Sequence, residues 1–202
     1  MSCPHRFIND LRLQYVDWEV RTLFIGTFNP AWDLPNNSAE WFYGRTARND
    51  FWGILPTIHI GHSMIPGTPE DWKNFCRNHH IAVTDIITCL NDADINNPTH
   101  LEMVKRFKDD QLAKFDIEST NIPALLEHHK EIKQICLTRK TLPSPWNQLF
   151  QPTFDWVTNH PERNIQFKRL RSPSRGARRG VKGGFTEFTS TNWKTIGDYQ
   201  IL

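Results

Sequence analysis

Four short apolar segments separated by helix signals constrain the fold of this chain most strongly. They are "TLFIG" (22–26), "IAVTDII" (81–87), "IKQICLT" (132–138) and "IQFKRLR" (165–171). Each is rich in β-branched or aromatic residues and is bounded by polar or turn-forming residues. Strands that alternate with helices at this spacing favour a mostly parallel sheet covered on both faces. We therefore predict an α/β fold, a three-layer α/β/α sandwich with a central, mostly parallel four-stranded sheet.

Helix signals lie between and after these strands. Thr68, followed by proline and two acids, predicts a capped helix start, and Ser144 with Pro145 repeats that arrangement. Pro152 is expected to break or kink the helix that follows Ser144. "STNIPALLEHHKEI" has an apolar stripe followed by histidine and lysine, and it predicts another helix. The C-terminal "FTSTNWKTIGDYQIL" is compatible with a last helix or a short strand.

Length and composition bound the class of protein. The 202 residues suffice for a sizeable core, and we expect a single domain over residues 1–202. A hydrophobic fraction of 38% with 23% charged residues excludes disorder throughout. The N-terminus "MSCPHRFIND" has no basic region followed by an apolar run, so it does not resemble a signal peptide. No apolar stretch approaches the ~18 residues that span a bilayer, and we expect a cytoplasmic protein.

Cysteines and histidines do not form a recognisable metal motif. The four cysteines (Cys3, Cys76, Cys89 and Cys136) contain no C-x-x-C pair and are most simply buried free thiols. The sequence does not exclude a metal site formed by all four cysteines in the folded protein. It also does not exclude metal binding by the histidine pairs, although no third ligand follows them at the spacing of a known metal motif. The motifs G-x-x-x-x-G-K-[ST], G-x-G-x-x-G and G-x-S-x-G are absent. We predict no metal.

The ends of the first and second strands carry unusual polar groups. In "LFIGTFNPAW" (23–32) three apolar residues run into glycine, an Asn-Pro pair and tryptophan. Ligands of parallel sheets bind beyond the carboxyl ends of the strands, so this stretch lies where a ligand is expected to bind. Asp85 lies near the end of the second strand and is a candidate functional carboxylate. A helix cap or a turn residue is an equally good interpretation of Asp85.

Two further segments combine aromatic and basic residues. "EWFYGRTARNDFWGIL" (40–55) contains five aromatic residues, two arginines and an asparagine. One interpretation is a helix at about 38–43, a loop, and a second helix that Asn49 caps and whose aromatic residues are core. "KRLRSPSRGARRGVKGG" (168–184) has seven basic residues between positions 168 and 182 and no acid there. It is either a phosphate-binding loop of serine hydroxyls, glycines and arginines or a flexible, solvated basic loop.

These segments together resemble the uracil-DNA glycosylase superfamily, and most closely its hypoxanthine-DNA glycosylase-like branch. "TLFIGTFNP" is similar to the family's first motif, a strand that ends in glycine before an aromatic or asparagine and proline. "WFYGRTARNDFWGIL" matches the aromatic continuation that ends in Arg-Asn-x-Phe-Trp. "LRSPSRGAR" falls where the second motif has Leu-Pro-Ser-x-Ser-Pro-Ala-Asn. The resemblance covers about residues 20 to 180.

The resemblance implies a monofunctional DNA glycosylase of base excision repair. Such an enzyme flips out a deaminated base, uracil or hypoxanthine, and hydrolyses its N-glycosidic bond without a metal or an organic cofactor. Asn49 would orient the attacking water, and Asn29 is a second catalytic candidate. The base pocket would be formed by Gly26, Thr27, Phe28 and Tyr43, with Phe28 stacking on the base. The residues expected to bind DNA are Arg48, Arg171, Ser172, Ser174 and Arg175.

The motifs also depart from the family pattern. Asn-Pro stands where the close branch has Pro-Gly, and Arg175 and Gly176 stand where the second motif has Pro-Ala. A fold of this kind can carry a changed or lost function. The alternative is therefore a non-catalytic member that binds nucleic acid or a small purine or pyrimidine. In the first interpretation the partner is DNA with a damaged or deaminated base, and the protein is expected to be a monomer.

Overall fold

A computed structural model describes residues 2–13, 16–34, 39–106 and 108–202. The strands are β1 (Cys3–Pro4), β2 (Thr22–Gly26), β3 (Ile81–Asp85), β4 (Ile87–Leu90), β5 (Ile117–Ser119), β6 (Gln134–Leu137) and β7 (Gln166–Arg169). The α-helices are α1 (Ile8–Leu11), α2 (Phe51–Ile60), α3 (Pro69–Asn78), α4 (Pro98–Arg106), α5 (Asp109–Leu112), α6 (Ile122–His128), α7 (Trp146–Asn159) and α8 (Phe185–Thr195). Short 3-10 helices cover Pro161–Arg163 and Arg175–Arg178.

The central sheet has the strand order β3-β2-β6-β7, and all its neighbouring strands are parallel. Alternate residues of β2 pack to opposite sides: Leu23 and Ile25 belong to one buried cluster and Phe24 to another. Both faces of the sheet are therefore covered, as the continuous apolar character of its strands requires. The predicted α/β fold is confirmed. Because Gly26 pairs with Asp85 in the parallel register, the carboxyl ends of β2 and β3 meet at these two residues.

A second, antiparallel sheet of order β1-β4-β5 was not predicted. The segment 81–87, expected to be one strand, ends in the central sheet at Asp85, and the chain continues from Ile87 as β4 of the second sheet. Residues 81 to 87 are all buried. An apolar run therefore gave no sign of the point at which the chain changes sheets.

The helix start at Thr68 is confirmed, because Thr68 and Asp71 form a reciprocal capping box. The cap expected at Ser144 is wrong, since α7 begins at Trp146 with Pro145 in the cap position. Helix α7 also runs without a break through Pro152. Its buried residues Trp146, Phe150 and Thr153 share one face, and their packing compensates for the missing proline hydrogen bond. The C-terminal segment forms helix α8.

The aromatic segment 40–55 has only part of the expected helical structure. Residues 39–43 are not helical, and α2 begins at Phe51 with Asp50 in the cap position. The side-chain oxygen of Asn49 nevertheless accepts a hydrogen bond of 2.9 Å from the Phe51 N–H. Phe51 and Trp52 are fully buried, so their expected place in the core is confirmed. Among the described residues, no helix has the length and apolar character needed to cross a bilayer.

Candidate active site

A cavity of about 410 Å³ opens at the carboxyl edge of the central sheet. Residues at the end of β3 and after β2, β6 and β7 contribute to its lining, together with the loop before α2. Of the residues predicted from the sequence, those that line it are Thr27, Phe28, Asn29, Tyr43, Arg48, Asn49, Ser172 and Ser174. The structure therefore brings residues of the segments 23–32, 40–55 and 168–184 together around one cavity.

Asp85 also lines the cavity, and its carboxylate is held by two donors. The oxygen Oδ2 lies 2.8 Å from Nε2 of His5 and 2.6 Å from Nδ2 of Asn29. The other oxygen, Oδ1, would lie only 2.2 Å from a Cβ atom placed on Gly26. Glycine is therefore required at position 26, because any side chain there would displace the carboxylate.

Asn29 is buried beside this carboxylate, with 6% of its surface exposed. Its side-chain nitrogen is used by Asp85, and its backbone oxygen accepts a hydrogen bond of 2.7 Å from the Arg6 N–H. These contacts bring the asparagine of the first motif to the cavity wall. The bond to Asp85 indicates that its amide orients the carboxylate.

Of the two aromatic side chains that line the cavity, Phe28 is buried and Tyr43 is partly buried. Phe28 is 1% exposed. The Tyr43 ring stacks on Phe51 with a centroid distance of 3.9 Å, and its hydroxyl lies 3.1 Å from Oγ1 of Thr138. Burial, reinforced by the nearby Asp85, raises the pKa of Tyr43 far above its usual range. The Tyr43 hydroxyl therefore stays neutral and can donate or accept a hydrogen bond.

Two further arginines contribute positive charge to the cavity. Burial lowers the pKa of Arg45 to about 10 against the opposing effect of Asp85, so this guanidinium is still charged at neutral pH. Arg139 donates to Oγ1 of Thr27 at 3.1 Å and lies 4.3 Å from the centroid of the Trp146 ring. Its guanidinium is fixed by these contacts and by an ion pair of 3.0 Å with Asp109.

The Asn49 segment and the Ser172–Ser174 loop are joined by backbone hydrogen bonds. The Asp50 N–H donates to the Pro173 oxygen and the Arg175 N–H to the Arg48 oxygen, each at 2.9 Å. These bonds place Asn49 beside the loop of the second motif. The polar groups of both motifs therefore face the same cavity.

A buried carboxylate reinforces this junction. Asp50 is 1% exposed and accepts hydrogen bonds from Arg175 at 3.1 Å and from Arg178 at 2.9 Å. Arg171 instead donates to the Ala177 oxygen at 2.6 Å and packs over the Phe188 ring. Neither Arg171 nor Arg175 lines the cavity. The DNA-binding role expected of these two arginines stays a prediction.

No protein-family model matches this chain, and no curated protein matches it. Among solved structures, it is similar to a Methanosarcina acetivorans protein that was solved by solution NMR and provisionally named a uracil DNA glycosylase. The TM-score is 0.56 at 17% identity, over 89% of this chain and 90% of that chain. The chain has a uracil-DNA glycosylase-like fold. The closer likeness to the hypoxanthine-DNA glycosylase-like branch stays a prediction.

In this uracil-DNA glycosylase-like fold, metal-binding side chains are dispersed. Over the described ranges, no group of three or more His, Cys, Asp or Glu residues is placed to hold a metal ion. The four cysteines are free thiols: Cys3, Cys76 and Cys136 are buried, and Cys89 is half-buried. Burial raises the pKa of Cys3 to about 11, so this thiol is protonated at neutral pH.

Sequence reasoning did not assign several residues of the site. Asp85 was weighed as a candidate carboxylate because it lies near the end of a predicted strand, and the structure places it opposite Gly26. Arg45 lies in the aromatic and basic segment 40–55, and Arg139 follows the third predicted strand. His5 lies 80 positions from Asp85 in the chain, and no local pattern indicated its contact with the carboxylate.

Proposed function

We propose that this protein is a monofunctional DNA glycosylase that removes a deaminated base, uracil or hypoxanthine, from DNA. The observation that carries the proposal is the arrangement of the cavity. An oriented carboxylate, two amides, an aromatic side chain and several guanidinium groups, of which that of Arg139 is fixed by contacts, surround a space at the carboxyl edge of a parallel sheet. The likeness of the fold to a protein named as a glycosylase supports the same reaction class.

The residue types suit the chemistry of glycosidic cleavage. The base must leave the stack before its bond to the sugar can be reached. As that bond breaks, the sugar develops oxocarbenium character and the base departs with negative charge. Arg45 and Arg139 supply positive charge for the departing base, and Asp85 can accept a hydrogen bond from one of its ring N–H groups. Phe28 is proposed to stack on the base.

Asn49 is proposed to orient the attacking water. Its side-chain oxygen already accepts the Phe51 N–H, and this bond fixes the orientation of the amide. In the part of the chain that the structure describes, the amide nitrogen has no hydrogen-bond partner, so it can donate towards the cavity. A neutral amide positions water but is a poor proton acceptor, and we expect slower turnover than with a carboxylate in its place.

An incision assay tests this function. Labelled oligonucleotides would carry a single uracil, hypoxanthine, xanthine or mismatched thymine, in single- and double-stranded form, and abasic sites would be cleaved with alkali. We expect incision of the uracil or hypoxanthine oligonucleotide by the wild type. In Asn49→Ala the incision rate should fall by a factor of about 100 or more. Binding of undamaged DNA, measured separately, should not change in that variant.

A second asparagine provides a matched control. Asn121 accepts the Ala124 N–H with its side-chain oxygen at the start of α6, away from the cavity. Asn121→Ala therefore loses a comparable helix-start hydrogen bond and should incise at the wild-type rate. Equal rates in Asn49→Ala and the wild type would refute the role of Asn49. A blank panel from folded protein that binds DNA would refute the glycosylase and favour the non-catalytic alternative.

A further inference from the structure

The N-terminal segment that contains His5 is hydrogen-bonded to the rest of the protein on two sides. The His5 N–H donates to the Thr88 oxygen at 2.7 Å, and the Ala31 N–H donates to the Pro4 oxygen at 2.9 Å. These bonds connect the segment to β4 and to the loop that follows β2. His5 itself is only 1% exposed, so its ring is held inside the protein.

The hydrogen bonds of His5 assign its tautomer. Its Nδ1 atom lies 2.9 Å from the backbone nitrogen of Phe7, which can only donate. Nδ1 is therefore the acceptor, and the ring proton of the neutral imidazole is on Nε2. Nε2 lies 2.8 Å from Oδ2 of Asp85, so His5 donates to the carboxylate.

Two donors thus fix one oxygen of Asp85. Oδ2 accepts from His5 and, at 2.6 Å, from the Asn29 amide. Oδ1, near Gly26 and the Tyr43 hydroxyl, remains the oxygen that can meet a ligand. A group that must meet a reacting base works best when its own orientation is fixed before binding.

We infer that His5 is a positioning residue, which acts through Asp85 in the reaction proposed above. The inference rests on that proposed function. His5 stays out of contact with the base and prevents Asp85 from rotating away from it. Asn29, its partner donor, has the same function, so the Asn-Pro of the first motif orients the carboxylate.

Two substitutions separate hydrogen bonding from packing. The His5 ring stacks near Phe42 at a centroid distance of 5.5 Å and meets the edges of Phe7 and Phe28 at 5.8 and 5.7 Å. His5→Phe keeps an aromatic ring in this environment and removes the donor. His5→Gln loses the ring but places an amide N–H at a similar reach.

The test is single-turnover incision of uracil- and hypoxanthine-containing oligonucleotides by the full-length variants. We expect His5→Phe to lower the incision rate by about 10- to 100-fold, the effect of losing a hydrogen bond to a charged group. The Kd for the same DNA should stay close to the wild-type value, because phosphate contacts dominate it. His5→Gln should recover most of the rate. A wild-type rate in His5→Phe, or a greater loss in His5→Gln than in His5→Phe, would overturn the inference.

A measurement without substrate keeps the two proposals distinguishable. In protein labelled with ¹⁵N-histidine, NMR should show His5 at neutral pH as the tautomer protonated on Nε2 only. A proton on Nδ1 would overturn the positioning role even in an active enzyme. An inactive wild-type protein with the expected tautomer would instead refute the proposed function and leave the described hydrogen-bond geometry intact.

Discussion

Asp50→Ala should destabilise the junction between the two cavity segments. The Asp50 carboxylate is 1% exposed, whereas the side chains of its partners Arg175 and Arg178 are 38% and 50% exposed. Both arginines can return to water when the carboxylate is removed, so no buried charge is left unpaired. The loss is therefore close to that of two partly screened charged hydrogen bonds, about 2 kcal/mol in the free energy of unfolding.

Urea unfolding monitored by tryptophan fluorescence measures this loss, and for a protein of this size it corresponds to a fall in Tm of about 4–8 °C. Asp17→Ala is the matched control, because Asp17 also pairs with an arginine, Arg77, but at the surface. That variant should unfold at the wild-type urea concentration. If Asp50→Ala also unfolded at that concentration, the ion pairs of Asp50 with Arg175 and Arg178 would not stabilise the folded protein, and the reasoning would be refuted.

Two further outcomes follow from the packing and protonation of particular residues. Gly26→Ala places a Cβ atom 2.2 Å from Oδ1 of Asp85, so we expect incision to be lost and the free energy of unfolding to fall by about 1–3 kcal/mol. Gly176→Ala is the control, because the nearest atom to a Cβ placed there is 3.6 Å away, and it should not change the urea midpoint. Burial, with a smaller effect of His79, lowers the pKa of His59 from 6.5 to about 4. Between these values the unfolded chain binds a proton that the folded protein does not, so stability should decrease as the pH falls through this range. As the pH is lowered from 6.5 to about 4, the urea midpoint should decrease less in His59→Gln than in the wild type. The same decrease in both proteins would contradict the lowered pKa of His59.

Local pattern was sufficient for the central sheet. Strands β2, β6 and β7 lie within the segments predicted for them, because each is an apolar run bounded by polar residues. The break after Asp85 was missed because the residues on both sides of it are buried, in two different sheets. The unbroken helix through Pro152 was missed for a related reason, since tertiary packing on one face outweighed a local propensity.

The candidate site was predictable where its residues follow strand ends. Asn29 and the serines of the second motif follow strand ends and lie around one cavity, as parallel topology favours, whereas Asn49 reaches it through the hydrogen bonds between its segment and the second motif. The contact of His5 with Asp85 depends on an N-terminal strand that pairs with β4, and nothing in "PHRF" indicates that pairing. His5 and Asp85 are 80 positions apart in the chain, so their contact depends on how distant segments pack and not on a local sequence pattern.

The charges of the basic stretch between positions 168 and 182 are partly used within the protein. Four of its seven basic side chains have partners within the protein: Lys168, Arg171, Arg175 and Arg178. Their charges or hydrogen-bond donors are already used, and the stretch is less available to phosphates than its composition suggests. Arg48, by contrast, is exposed at the cavity. Its side chain has no hydrogen-bond partner among the described residues, so in the proposed reaction its charge is available to a DNA phosphate.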